Sequence, residues 1–76
     1  MYETQIMLSS VESVKKFELI ARKYAFDIDL SNGKYTVDGK SIMGIFSLDL
    51  SKPICLKASE KDEQFIEELK DFIVSE

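Results

Sequence analysis

The chain has no histidine among its 76 residues, and that absence decides much of the chemistry open to it. Histidine-centred triads, most zinc sites and any phosphohistidine chemistry are removed before a motif is sought. The polar groups that remain gather around two serine-led segments. In Ser9-Ser10-Val11-Glu12-Ser13, Ser9 with Glu12 three residues on fits a capping box, in which hydroxyl and carboxylate satisfy free amides at a helix start. A helix start also favours anions, but Glu12 repels them, so capping is the better reading. In Lys40-Ser41-Ile42-Met43-Gly44-Ile45-Phe46, Ser41 is a good N-cap for a brief helix. Ile42, Met43, Ile45 and Phe46 cannot all point inward from two turns. Exposed apolar surface containing methionine and an aromatic is a binding signal. Cys55 is the one cysteine; nothing beside it in sequence would lower its pKa, and it reads as strand filler. The carboxylates between Glu60 and Glu76 read as the solvated face of a helix and not as a cation site. Lys15, Lys16, Arg22 and Lys23 make a basic stripe that solvation explains equally well.

These groups need elements to position them. Glu3 to Leu8 alternates loosely and reads as a strand. Val14, Phe17, Ile20, Ala21 and Tyr24 recur at helical spacing, so Val11 to about Tyr24 is an amphipathic helix. Asp27 to Leu30 and Tyr35 to Val37 flank Asn32-Gly33, the strongest short hairpin signal, with positive φ expected at both of its residues. A short helix follows Ser41 and ends before Lys52-Pro53. Ile54 to Ala58 is a fourth strand with Ile54, Leu56 and Ala58 inward. Ser59 with Asp62 marks a last helix carrying Phe65, Ile66, Leu69, Phe72 and Ile73. The order is β-α-β-β-α-β-α, an α+β fold with helices on one face of a four-stranded antiparallel sheet.

Hydrophobic residues at 45% and charged residues at 32% describe one globular domain over residues 1–76. Fourteen acidic against ten basic residues give a net charge of −4, which disfavours nucleic acid and anionic lipid as partners. No apolar run is long enough for a membrane helix. The start, Met1-Tyr2-Glu3, is acidic where a signal peptide is basic, and with a lone cysteine the cytoplasm is the expected compartment. No metal or other cofactor is implied.

The stretch Lys40 to Leu48, KSIMGIFSL, resembles the signature around the regulatory serine of HPr, the histidine-containing phosphocarrier of the bacterial sugar phosphotransferase system. Lys23-Tyr24 and the Asn-Gly hairpin lie near the family's spacing, and the element order is that of its open-faced β-sandwich. The resemblance implies that Ser41 is a regulatory phosphorylation site with Lys40 beside it. It also implies that Ile42, Met43 and Phe46 form a patch for protein partners, namely a phosphotransferase component, a transcription regulator or a kinase. It places Ser10 at the family's phosphorylated histidine, Glu12 at its arginine and Ser13 at its proline. An imidazole receives and passes on phosphate; a serine phosphoester does neither readily without an activating base, and Glu12 is negative where phosphate needs a cation. The expectation is a non-catalytic regulatory module of HPr descent. The alternatives are a phosphocarrier with an unconventional acceptor such as Ser10, and a structural remnant with no partner.

Overall fold

The computed structural model describes residues 1–74. Alternating inward side chains make four strands, β1 (Tyr2–Ile6), β2 (Ile28–Asn32), β3 (Tyr35–Asp38) and β4 (Ile54–Ala58), in one sheet of order β1-β4-β2-β3 with every neighbouring pair antiparallel. Leu30 lies between Leu56 and Val37, and Ile28 opposite Ala58, so one face of the sheet is apolar. Three helices, α1 (Val11–Arg22), α2 (Ile42–Phe46) and α3 (Glu63–Glu68), supply Val14, Phe17, Ala21, Ile45 and Phe65 to the core on that face. Phe17 and Phe65 are fully buried, each contributing roughly 1.5–3 kcal/mol of transfer free energy. The other face carries Glu3, Lys57 and Asp29 in one row and Gln5, Cys55 and Ser31 in the next. The α+β open-faced sandwich expected from the sequence is the observed fold.

Three local expectations are corrected. The first concerns the start of α1. Its cap is Ser10, in extended backbone with φ −143° and ψ 161°. The Ser13 N–H donates to Ser10 Oγ at 3.1 Å and the Ser10 N–H donates to Ser13 Oγ at 3.0 Å. The box is therefore Ser10 with Ser13 and not Ser9 with Glu12. A second serine one position on offers the same hydroxyl, and it is the one followed three residues later by another short side chain that can fold back. The second concerns the hairpin. Asn32 pairs with Tyr35, so its loop is Gly33-Lys34. Only Gly33 has positive φ, at 64°, the pattern of a turn needing glycine first.

The third concerns the C-terminal end. Asp62 caps α3, its carboxylate accepting from the Phe65 N–H at 2.9 Å, whereas Ser59 Oγ accepts from the Asp27 N–H at 3.0 Å. The helix stops at Glu68, and Phe72 and Ile73 leave it. Ile73 bridges Ile6, the Met7 N–H donates to the Phe72 carbonyl at 2.8 Å, and the Val74 N–H donates to the Gln5 carbonyl at 3.0 Å. The open edge of β1 offers backbone partners that a longer helix would forgo. The acidic segment beyond Val74, including Glu76, lies outside the described residues.

Candidate functional site

Two places in this fold bring together the residues singled out above, and each begins at a serine N-cap. At the start of α1, a cleft of about 240 Å³ is lined by Met7, Ser9, Ser10, Glu12, Ser13, Lys16, Asp71 and Phe72. Both serines of the capping box are committed to backbone partners, Ser13 Oγ also donating to the Ser10 carbonyl at 2.8 Å. Glu12 and Asp71 bring two carboxylates to the cleft and Lys16 one ammonium. An incoming phosphate would meet more negative than positive charge. Ser10, at the position expected for the family's histidine, is therefore a helix cap with no base hydrogen-bonded to its hydroxyl among the described residues.

The chain between β3 and β4 builds the second place. Ser41, with φ −109° and ψ 110°, caps α2 by accepting from the Gly44 N–H at 3.2 Å. At about 100° per residue, Gly44 and Ile45 fall on one arc of the helix, and Ile42, Met43 and Phe46 on the opposite one. Ile45 has no exposure, while Met43 is 79% and Phe46 41% exposed. Ile42 is half-buried, Ser41 is exposed, and Lys40 is half-buried with its N–H donating to Asp38 Oδ1 at 2.8 Å. Ile42, Met43 and Phe46 lie on one side of one short helix next to Ser41, with Met43 and Phe46 turned to water and Ile42 half-buried against the core.

The remaining candidates do structural work. In the basic stripe, Arg22 pairs with Glu18 at 3.1 Å and Lys23 with Glu68, so among the described residues Lys15 and Lys16 alone of the four lack an ion pair. Tyr24 donates its hydroxyl to the other Glu68 oxygen and packs on Phe65 and Phe26. Burial and that hydrogen bond push the Tyr24 phenol up to about 12. Hydrogen bonds from Lys23 and then Tyr24 hold Glu68 below the ordinary carboxylate range. Cys55 lies on the outer sheet face, its Sγ donating to Glu3 Oε2 at 3.3 Å, and burial followed by that contact raises its pKa. A protonated thiol is a poor nucleophile, in keeping with strand filler. No cluster of metal-ligating side chains occurs among the described residues. Sequence reasoning missed Met7, Asp71 and Phe72 as walls of the Ser10 cleft, and Glu68 as the group that engages Lys23 and Tyr24. Asp71, Phe72 and Glu68 come from the far end of the chain and carry no local signal, while Met7 stands only three residues before Ser10 and was passed over as part of the strand preceding the helix.

A small open-faced sandwich with a cleft at the start of its first helix and a short, partly exposed second helix is the architecture of a phosphocarrier domain. The family model described as the PTS HPr component phosphorylation site matches residues 12–75, and the chain belongs to that family of the phosphotransferase system. Ser10 lies just outside the matched residues. The crystal structure of HPr-C-His from Thermoanaerobacter tengcongensis superposes with a TM-score of 0.78 at 29% identity, over 93% of this chain and 89% of that one. The phosphocarrier protein HPr of Bacillus anthracis, at 24% identity and TM-score 0.73 over 96% of both chains, shares the fold. So does the histidine-containing phosphocarrier protein of a Mycoplasma, at 17% identity and TM-score 0.74, over 92% of this chain and 89% of that one. No curated protein sequence gives a significant match. No helix among the described residues is long and apolar enough to cross a membrane.

Proposed function

We propose that this chain is a regulatory interaction module of HPr descent that no longer carries phosphate, docking protein partners through α2 by Ile42, Met43 and Phe46. Lys40 stands at the edge of that patch and Ser41 is its point of control. The observation that carries the reading is the division within one five-residue helix, with Ile45 fully buried while Met43 and Phe46 stand 79% and 41% exposed. α1 also leaves Val11 and Leu19 exposed, but eight positions apart. Met43 and Phe46 are instead one turn apart on one side of α2, beside the half-buried Ile42, and it is contiguous apolar surface that marks a binding site. A phosphate on Ser41 would add about −1.5 to −2 charges beside that patch. A partner with a lysine or arginine at the rim would then bind tighter, and one with an apolar or acidic rim would be expelled.

The phosphocarrier reading has less in its favour. Ser10 spends its hydroxyl oxygen on a helix amide and faces Glu12 and Asp71 across the cleft. Two labelling reactions separate the readings. With enzyme I and labelled phosphoenolpyruvate, the domain should take up no stable label; stoichiometric labelling would put the phosphocarrier reading first. With an HPr serine kinase and ATP, mass spectrometry should find phosphate on Ser41. No modification there would leave Ser41 a helix cap and nothing more.

A further inference from the structure

The patch on α2 is useful to a partner only if the helix is held in one place, and a five-residue helix cannot hold itself there. We propose that the β2–β3 hairpin is the cradle that fixes α2, and that Gly44 is the positioning residue on which the helix is seated; the inference rests on the reading of α2 as the docking helix. The hairpin meets this segment at three points. At the entry, the Ser41 N–H donates to the Asp38 carbonyl at 3.0 Å and the Lys40 N–H to the Asp38 carboxylate at 2.8 Å. At the exit, the Asn32 side-chain amide donates to the Asp49 carbonyl at 2.7 Å. The Asp49 carboxylate in turn accepts from the Ser51 N–H at 3.1 Å and the Ser51 hydroxyl at 2.5 Å, fixing the turn that Asn32 grips.

Between these ends, Gly44 faces β3 so closely that a Cβ added to it would lie 3.2 Å from Val37 Cβ and 3.4 Å from Ser41 Oγ. The seat is therefore backbone against side chain, and a methyl group there requires α2 and β3 to part by a few tenths of an ångström, because the Val37 Cβ is fixed to its own backbone and no rotamer change moves it. Ile45, beside Gly44 on the same arc, enters the core, so the helix cannot turn about its axis to relieve a clash. The helix and β3, an edge strand of the sheet, part by that small distance, and Met43 and Phe46 shift with the helix. Asn32 has a role here that the hairpin alone does not ask of it. It stands outside the two-residue loop, and its side chain serves the helix exit.

An HPr serine kinase with ATP is the probe, with Ser41 phosphorylation followed as KM and kcat on the whole chain. Gly44→Ala should raise KM several-fold with kcat near the unsubstituted value, and it should shift the Met43 methyl resonance. Thermal unfolding should change little, because alanine improves helix propensity where it crowds Val37. Val37→Gly in the Gly44→Ala background removes the crowding Cβ and should bring KM back toward the original. Asn32→Asp, which turns the donor facing the Asp49 carbonyl into an acceptor, should raise KM in the same direction without touching α2. If the unsubstituted chain is phosphorylated on Ser41 but Gly44→Ala and Asn32→Asp leave KM unchanged, the cradle is refuted and the docking reading stands. If the unsubstituted chain is not phosphorylated at all, the docking reading fails and the cradle falls with it.

Discussion

Ser10 and Ser41 each cap a helix, yet the two helix starts differ in what surrounds the cap. At α1, cap and third residue bond each other in both directions, and the cleft they border collects Glu12, Asp71 and Lys16. At α2, a single bond from the Gly44 N–H holds the cap, and the helix beyond it turns Met43 and Phe46 to water. The first region is arranged to satisfy itself, and the second leaves apolar surface exposed. The same contrast separates two phenylalanines. Phe72 closes the α1 cleft at 9% exposure, edge-on to Phe17 with ring centroids 6.1 Å apart, whereas Phe46 is 41% exposed.

The sharpest way to break the comparison is to truncate both rings. Phe72→Ala removes a buried aromatic and the wall it forms against Phe17, which should cost about 3–5 kcal/mol. That is a large share of the roughly 5–15 kcal/mol available to a small domain. Phe46→Ala should cost far less, and urea unfolding of the two variants measures the difference. Equal losses would make Phe46 a core residue and move the docking surface elsewhere.

A smaller effect tests the caps. Ser10→Ala and Ser41→Ala should each cost about 0.5–2 kcal/mol. Ser10→Ala should be the costlier, since α1 presents Val14, Phe17 and Ala21 to the core while α2 presents Ile45. Because Ser10 and Ser13 bond each other, adding Ser13→Ala to Ser10→Ala should cost less than it does alone, and a double-mutant cycle reads that coupling. Strict additivity would mean the reciprocal box contributes nothing in solution.

The far end of α1 gives a pH test. Tyr24 has its phenol raised to about 12 by burial and its bond to Glu68, against about 10 in an unfolded chain. A raised folded value favours the protonated group, so its contribution is full below pH of about 10 and is lost as pH climbs toward 12. Tyr24→Phe should flatten that part of the alkaline limb and leave the Ser10 cleft untouched. Glu68 has the opposite sign. Its depressed carboxyl stabilises the fold above its unfolded pKa and ceases to as pH falls through its folded value, so Glu68→Gln should flatten part of the acid limb. Unchanged alkaline unfolding in Tyr24→Phe would show that the clasp between α1 and α3 is not held in solution.

How far these regions were legible in sequence depends on whether their causes are local. Ile54, Leu56 and Ala58 alternate, and Val14, Phe17 and Ala21 recur at helical spacing, so the core faces of β4 and α1 follow from period, while α2 and the hairpin were placed by the Ser41 cap and the Asn32-Gly33 turn signal. That Ile42, Met43, Ile45 and Phe46 could not all be buried was legible from geometry, since two turns of helix cannot bury four large side chains. That Ile42, Met43 and Phe46 would be the outward ones came only from the resemblance to HPr. The choice between Ser9 and Ser10 as cap was not legible, because both offer the same hydroxyl and the answer lies in which neighbour folds back. The end of α3 was misplaced because Phe72 and Ile73 keep the helical spacing, while their partners Met7 and Ile6 lie at the other end of the chain. Asp71 enters the cleft for the same reason. The grip of Asn32 on Asp49 is likewise a contact between segments that no spacing announces.

The smallest expected effect places the same charge at both caps. Aspartate is as good an N-cap as serine, so Ser10→Asp and Ser41→Asp should each keep the bond to the third residue's amide. What differs is the company the carboxylate meets. At Ser41 its nearest charged neighbours in sequence are Asp38 and Lys40, one of each sign, and the Asp38 carboxylate already accepts from the Lys40 N–H. At Ser10 it would face Glu12 and Asp71 against the single Lys16, a surplus of one like charge. The longer α1 dipole works the other way, favouring an anion at its start by about 0.3–1 kcal/mol, while each exposed like-charge pair costs about 0.2–0.5 kcal/mol. The two variants should therefore lie within a fraction of a kcal/mol of each other in stability, and salt separates the terms. Because both dipole and pair terms are screened, the direction of change with salt reports which dominates at each cap. If repulsion governs the α1 cleft, raising salt toward 1 M should stabilise Ser10→Asp relative to Ser41→Asp. If salt instead lowers Ser10→Asp relative to Ser41→Asp, the α1 start remains a net attractor of negative charge despite Glu12 and Asp71. The electrostatic half of the contrast between the two regions would then have to be withdrawn.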